Sequence, residues 1–171
     1  MPHGHAVGWA LMNDHYFSAE PASADERRTL TLRLADRAVS MTTAPGVFCP
    51  DRLDAGTAVL LNHAPTPPPS GTFLDVGCGW GPITTTLALR SPSAQVWGVD
   101  VNRRALDLCA DNVAAQGCSN VAVAQPSQVP DHVRFDLIWS NPPIRVGKKV
   151  LHELLLTWLP RLVVGCLLYT S

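Results

Sequence analysis

Lysine is almost missing from this 171-residue sequence: Lys148 and Lys149 stand against eleven arginines. The formal net charge is -1, so the chain is no polycationic nucleic-acid binder. Any nucleic acid it engages must be held by local patches. Charged residues make up only 16% and hydrophobic residues 46%, which excludes a disordered tail and leaves ample material for a core. The length predicts one domain with a short extension. Cysteine is sparse, odd in number and scattered over Cys49, Cys78, Cys109, Cys118 and Cys166 with no C-x-x-C pair. That excludes a disulfide framework and reads as buried thiols in a reducing compartment. The six histidines converge with no other ligands at metal spacing, so no metal is expected. Met1 to Leu11 lack the basic start and apolar core of a secretory signal. The most apolar stretch, residues 151–168, is interrupted by Glu153, Pro160 and Arg161, short of the roughly 18 apolar residues a membrane span needs. The expectation is a cytoplasmic protein with no membrane partner.

What is present is ordered along the chain. Residues 1–14 show no periodicity and are expected to be disordered. Residues 30–34 alternate with period two, and Asp36-Arg37 can turn them into a second strand over 38–42, a hairpin. Asp54 can cap a short helix running through Leu61. Pro65, Pro67, Pro68 and Pro69 then make a stiff connection. They divide an N-terminal extension, residues 15–69, from a domain over 70–171. Beyond them strand and helix signals alternate: strand 72–76, helix 82–90, strand 95–99, helix 103–116, strand 121–124, strand 135–139 and helix 149–158. Such alternation predicts an α/β fold with a mostly parallel sheet and helices on its faces.

Two loops carry chemistry. Leu74-Asp75-Val76-Gly77-Cys78-Gly79-Trp80-Gly81 joins a strand to a helix. Glycines there permit a tight turn and close approach of a ligand. The spacing is G-x-G-x-G, so the pyrophosphate fingerprint G-x-G-x-x-G is not matched. Asp100 ends the next strand, where a carboxylate can accept hydrogen bonds from ribose hydroxyls. Turn and carboxylate together suggest a nucleoside ligand without a pyrophosphate. This stretch resembles motif I and the following acidic residue of class I S-adenosylmethionine-dependent methyltransferases, with their Rossmann-like fold. The resemblance implies that S-adenosylmethionine is the cofactor and that Asp75, Gly77, Cys78, Gly79, Asp100 and Val101 bind it. Gly77 and Gly79 would flank it, with Asp75 near its methionine part and Asp100 on its ribose.

The second loop is Asn141-Pro142-Pro143, after the fourth strand of the alternating region. Each proline holds the residue before it extended, and the loop emerges at the same sheet edge as the glycine turn. The exocyclic amine of a nucleobase is a poor nucleophile, because its lone pair is delocalised into the ring. Acceptors on its two hydrogens localise that pair. The Asn141 side-chain oxygen and the Pro142 carbonyl can serve, and their dipoles stabilise the positive charge that develops on nitrogen. The loop resembles that of methyltransferases acting on adenine, guanine or a glutamine amide. The catalytic set implied is Asn141, Pro142 and Pro143. Many members of that group carry an aromatic residue next; here it is Ile144, which can pack on a base but offers no π face.

The longer run from Asn141 to Lys148 is more specific, together with His15-Tyr16-Phe17-Ser18, Gly46-Val47-Phe48, Asp54-Ala55-Gly56-Thr57 and Asn102-Arg103-Arg104-Ala105. These resemble the small-domain methyltransferases related to the guanine-N2 enzymes of small-subunit ribosomal RNA. The implied substrate is a guanine amine, and the implied partner is ribosomal RNA or the small ribosomal subunit. Ile144, Arg145 and Lys148 would be substrate-binding, the two cations reaching phosphates; a merely solvated helix start remains an alternative for them. Methylation of a glutamine amide or a small molecule, and a non-catalytic RNA-binding module, are the other readings, with a nicotinamide-dependent oxidoreductase a distant fourth given the mismatched glycine spacing. The family sheet has seven strands, and only residues 162–168 could add one after the last helix. The ending Cys166 to Ser171 departs from the family pattern. The expectation is therefore an incomplete, poorly stable chain lacking the last strands, with the strand over 135–139 left as an exposed edge.

Overall fold

The computed structural model describes residues 20–142 and 147–170. Strands β1 (Arg28–Leu34) and β2 (Arg37–Thr43) form an antiparallel hairpin in which Leu34 faces Arg37. Its two turn residues, Ala35 and Asp36, have φ of 48° and 62°. Positive φ at both positions is the turn geometry that follows the natural twist of a two-stranded ribbon. Alternation places Leu34, Val39 and Met41 in the core. Helix α1 (Ala55–His63) starts at Asp54, whose Oδ2 accepts from the Thr57 backbone N–H at 3.1 Å. It buries Leu60 and Leu61.

After the prolines come β3 (Ser70–Val76), α2 (Pro82–Arg90), β4 (Ser93–Val99), α3 (Arg103–Ala115), β5 (Val121–Ala124), β6 (Phe135–Ser140), α4 (Gly147–Trp158) and β7 (Leu162–Thr170). The sheet order is β5-β4-β3-β6-β7, and every pairing within it is parallel. The last strand corrects the expected exposed edge. β6 lies between β3 and β7, with Leu137 facing Leu167 and Ser140 facing Thr170. The reason is the helix α4 between them, which supplies the crossover that two neighbouring parallel strands require.

β3 is central and covered on both faces, so it reads as a continuous buried run rather than an alternation. Phe73 packs in one apolar cluster with Leu34, Met41, Leu60, Ile83 and Leu108. Leu74 and Val76 pack in another, with Ile138 and Trp158. The first cluster joins the hairpin and α1 to α2, α3 and the sheet, so residues on both sides of the prolines share one core. A buried amide completes the join. Asn112 of α3 accepts from the Thr42 N–H at 2.6 Å and donates to the Thr42 carbonyl at 2.7 Å and the Trp80 carbonyl at 2.8 Å. The amide thus satisfies backbone groups of β2 and of the glycine turn that would otherwise be buried unpaired.

Candidate active site

The glycine turn and the end of β6 emerge together at the carboxyl edge of the sheet, because β3 and β6 are neighbours with Val76 facing Ser140. The Ser140 hydroxyl donates to the Val76 carbonyl at 2.8 Å and ties the two strand ends. Between them lies a cleft open to solvent, lined by Gly77, Cys78, Gly79 and Trp80 on one side and Asn141 on the other. Phe48, Asp54 and Thr57 of the N-terminal section wall it as well. That section is fastened in place: the Trp80 indole N–H donates to the Phe48 carbonyl at 3.1 Å, and the Asn102 amide to the Gly46 carbonyl at 2.7 Å.

Gly77 and Gly79 have φ of 76° and 55°, and a Cβ added to either would meet nothing within 4 Å. Their bare faces open onto free space, a cradle side chains would partly fill. The amides of this turn are already committed. Gly77 and Cys78 donate to the Val99 carbonyl at 2.8 and 2.9 Å, and Gly79 donates to Asp100 Oδ2 at 2.9 Å. A pyrophosphate site needs such N–H groups aimed at the ligand, so this turn offers shape without anion-binding donors. Gly81 serves packing instead: its φ is 100°, and a Cβ there would stand 2.8 Å from Cys109 Sγ and 3.2 Å from Cys109 Cα. Gly81→Ala should therefore cost about 2–4 kcal/mol, from left-handed strain and overpacking. Chemical denaturation against the parent chain measures it, and a loss under about 1 kcal/mol would contradict this account.

The electrostatics favour a cation. Asp75 is completely buried beneath the turn; its Oδ2 accepts from the Thr84 hydroxyl at 2.6 Å, and its Oδ1 has no hydrogen-bond partner among the described residues. Burial pushes its carboxyl from 3.8 up to about 7 against the opposing pull of Thr84, and the charge of Asp100 adds to the rise. Asp100 is also raised by burial, although the backbone N–H groups of Asn102 and Gly79 oppose this. Among the described residues that line the cleft, Asp54 is the one with a formal charge. Carboxylates that resist ionisation and an absence of basic lining groups disfavour a pyrophosphate and suit a positively charged ligand. A nucleoside carrying a sulfonium and an ammonium group, as S-adenosylmethionine does, has that character. The Cys78 thiol is held well above its ordinary value by its hydrogen bond to Cys109 and by burial, so it is a packed wall and not a nucleophile.

The structure thus brings Gly77, Cys78, Gly79 and Asn141 to one cleft, whereas Pro142 is buried and lines a separate hollow with Ile138, Leu154 and Trp158. Asp100 adjoins the turn through Gly79, and Val101 beside it is 41% exposed. Asp75 lies under the cleft and not on its wall. Pro143, Ile144 and Arg145 fall outside the described residues, as do residues 1–14 and the side chain of Lys148. Thr57 was not among the residues expected at the site. Its signal was present in the Asp54-Ala55-Gly56-Thr57 motif, which periodicity alone reads as a helix start. Among the described residues no helix is long and apolar enough to cross a membrane, and no group of three or more His, Cys, Asp or Glu is placed to hold a metal ion.

Comparison with known proteins identifies the fold and the family. A structure of the Thermus thermophilus 16S rRNA N2 G1207 methyltransferase, with AdoMet and guanosine bound, matches the fold with a TM-score of 0.73 at 22% identity. That match covers 88% of this chain and 43% of the other. The uncharacterized protein YbxB of Bacillus subtilis is 36% identical over 146 residues, covering 84% of this chain and 73% of its own length. The ribosomal RNA small subunit methyltransferase C of Pseudomonas entomophila is 36% identical over 143 residues, and this chain spans 42% of its length. The model of the methyltransferase small domain matches residues 38–165. The chain belongs to the methyltransferase small domain family, which uses S-adenosylmethionine as its methyl donor.

Proposed function

We propose that this chain methylates an exocyclic amine of a nucleobase, guanine N2 of small-subunit ribosomal RNA, with Asn141 and the Pro142 carbonyl as acceptors for the amine hydrogens. The observation that carries the reading is that the Asn141 side chain and the glycine cradle line the same cleft. The choice of RNA rests on the relatives: one is a ribosomal RNA small subunit methyltransferase, and the matched structure holds guanosine. Bound S-adenosylmethionine supplies a methyl group on a positively charged sulfur. The chain itself has four tasks. Asp100 and Val101 hold the nucleoside end, and the bare faces of Gly77 and Gly79 let the ligand lie against the backbone. Asn141 and Pro142 orient the amine and withdraw its hydrogens from the ring plane. No strong base is required, because the proton leaves a nitrogen that has become cationic. Arg145 and Lys148 supply contacts to RNA phosphates.

Transfer of labelled methyl groups tests this directly. The purified chain should label small-subunit RNA or the assembled subunit, with the label recovered as N2-methylguanine after nuclease digestion. A glutamine-bearing protein and small amines should stay unlabelled under the same conditions. Label on protein or metabolite acceptors alone would overturn the RNA assignment. RNA binding with saturable affinity, indifferent to S-adenosylmethionine and without transfer, would overturn the enzymatic one.

A further inference from the structure

An asparagine amide has two poles of nearly equal shape, one accepting and one donating. An amine acceptor must present its oxygen; a half-turn of the amide would present N–H groups to the N–H groups of the substrate. Something must select the orientation. The Asn141 Nδ2 donates to Asp54 Oδ2 at 2.7 Å and to Thr57 Oγ1 at 2.9 Å. Asp54 and Thr57 lie 87 and 84 residues earlier in the chain, at the start of α1. An ionised carboxylate only accepts, so turning the amide over would set its oxygen against the Asp54 charge. The approach is close enough to need a glycine between them. A Cβ on Gly56 would stand 2.9 Å from Asn141 Oδ1 and 3.1 Å from Asp54 Oδ2.

We propose that Asp54 and Thr57 are positioning residues that fix the Asn141 amide in its accepting orientation, so that the N-terminal section takes part in the chemistry of the cleft. The inference rests on the function proposed above for Asn141. It gives Asp54 a second task besides capping α1, and the two tasks separate by substitution. Both bonds fall on one carboxylate oxygen, Oδ2; serine caps a helix as well as aspartate does, but it carries no charge to hold the Asn141 amide and sets its oxygen one bond nearer the backbone. Asp54→Ser should keep the cap and lose the clamp. Thr57→Val removes the second acceptor at constant shape, and Thr57→Ser returns it.

The test measures kcat and KM on small-subunit RNA, the cofactor Kd by calorimetry, and the Asn141 side-chain amide in a 15N spectrum. Asp54→Ser and Thr57→Val should each lower kcat by about 10-fold or more, with KM and Kd within about twofold, as expected for lost orientation of a group acting in the transition state. The Asn141 amide protons should exchange faster with water in both variants. Thr57→Ser should recover most of the rate. In an Asn141→Ala background, Thr57→Val should have no further effect. Parental kcat in Asp54→Ser, or unchanged amide protection in both variants, would overturn the proposal. A loss that appears only in melting temperature and KM would reduce the pair to a structural contact and overturn it equally. If the parent chain transfers no methyl group to any amine, the proposed function fails. The amide spectrum still decides whether Asp54 and Thr57 hold Asn141.

Discussion

Asn141→Ala should lower methyl transfer to the amine by about 10²- to 10³-fold, the range seen when a preorganised dipole is removed from a developing charge. The cofactor Kd should move by less than about threefold, because the cofactor site proposed above uses other residues: Gly77 and Gly79 in the turn after β3 and Asp100 after β4. Two facts set the size of the effect. The amide is held from behind by Asp54 and Thr57, so its dipole needs no reorganisation when charge appears on the amine. It also sits in a cleft walled in part by Phe48, Leu53, Pro82 and Ile83, where a dipole is less screened than in water. The measurement is single-turnover transfer with saturating cofactor, beside a calorimetric titration of the same variant. A rate within threefold of the parent would remove Asn141 from the mechanism. A lost titration would mean that the loop shapes the cofactor site and that the two loops do not divide the work between cofactor and amine.

The sequence made some parts of this molecule plain and hid others, for physical reasons. The hairpin was legible because alternation of Leu30, Leu32 and Leu34 is a local signal, and Asp36 tolerates the positive φ its turn demands. The glycine turn was legible because left-handed backbone leaves few residue choices. Strand starts were less so: β3 and β4 each begin two residues before the apolar run does, at Ser70 and Ser93, because register with a neighbouring strand extends pairing past the hydrophobic pattern. β7 was underestimated because its pairing depends on β6, and nothing local announces a partner strand. The same holds for the clamp on Asn141. Asp54 and Thr57 look like a capped helix start, and they are one. Their second partner is more than eighty residues away, and only the folding of α1 against the β6 end reveals it. Likewise Asn112 gave only a helical position, although it satisfies groups on β2 and the glycine turn.

Asp75→Asn should make the empty protein more stable and the cofactor complex weaker. Asp75 has no exposed surface and one oxygen without a hydrogen-bond partner among the described residues, and burial lifts its carboxyl from 3.8 to about 7. The folded state therefore holds a proton that the unfolded state releases between those two values. Stability falls as pH rises through that window, and the loss is complete above about 7. A carboxyl displaced that far corresponds to about 4 kcal/mol at pH 8, an order-of-magnitude figure. Asparagine keeps the acceptor for the Thr84 hydroxyl and carries no charge to bury. Its unpaired amide N–H groups cost about 1–3 kcal/mol, so part of the gain is offset. The difference in unfolding free energy between variant and parent should thus grow in the variant's favour from pH 4 to pH 7 and stay level above. Urea melts at pH 4.5 and pH 8 read it, and a difference that does not change with pH would refute the buried, protonated carboxyl. If Asp75 serves the cofactor as proposed, the cofactor Kd should rise at least about tenfold in Asp75→Asn, since the variant no longer supplies a negative charge for a cationic ligand. Equal affinity would leave Asp75 a structural residue, with its bond to Thr84 as its sole task. A cationic ligand that offsets the cost of this buried acid would account for an aspartate one residue before the end of β3, where packing alone would favour an apolar side chain.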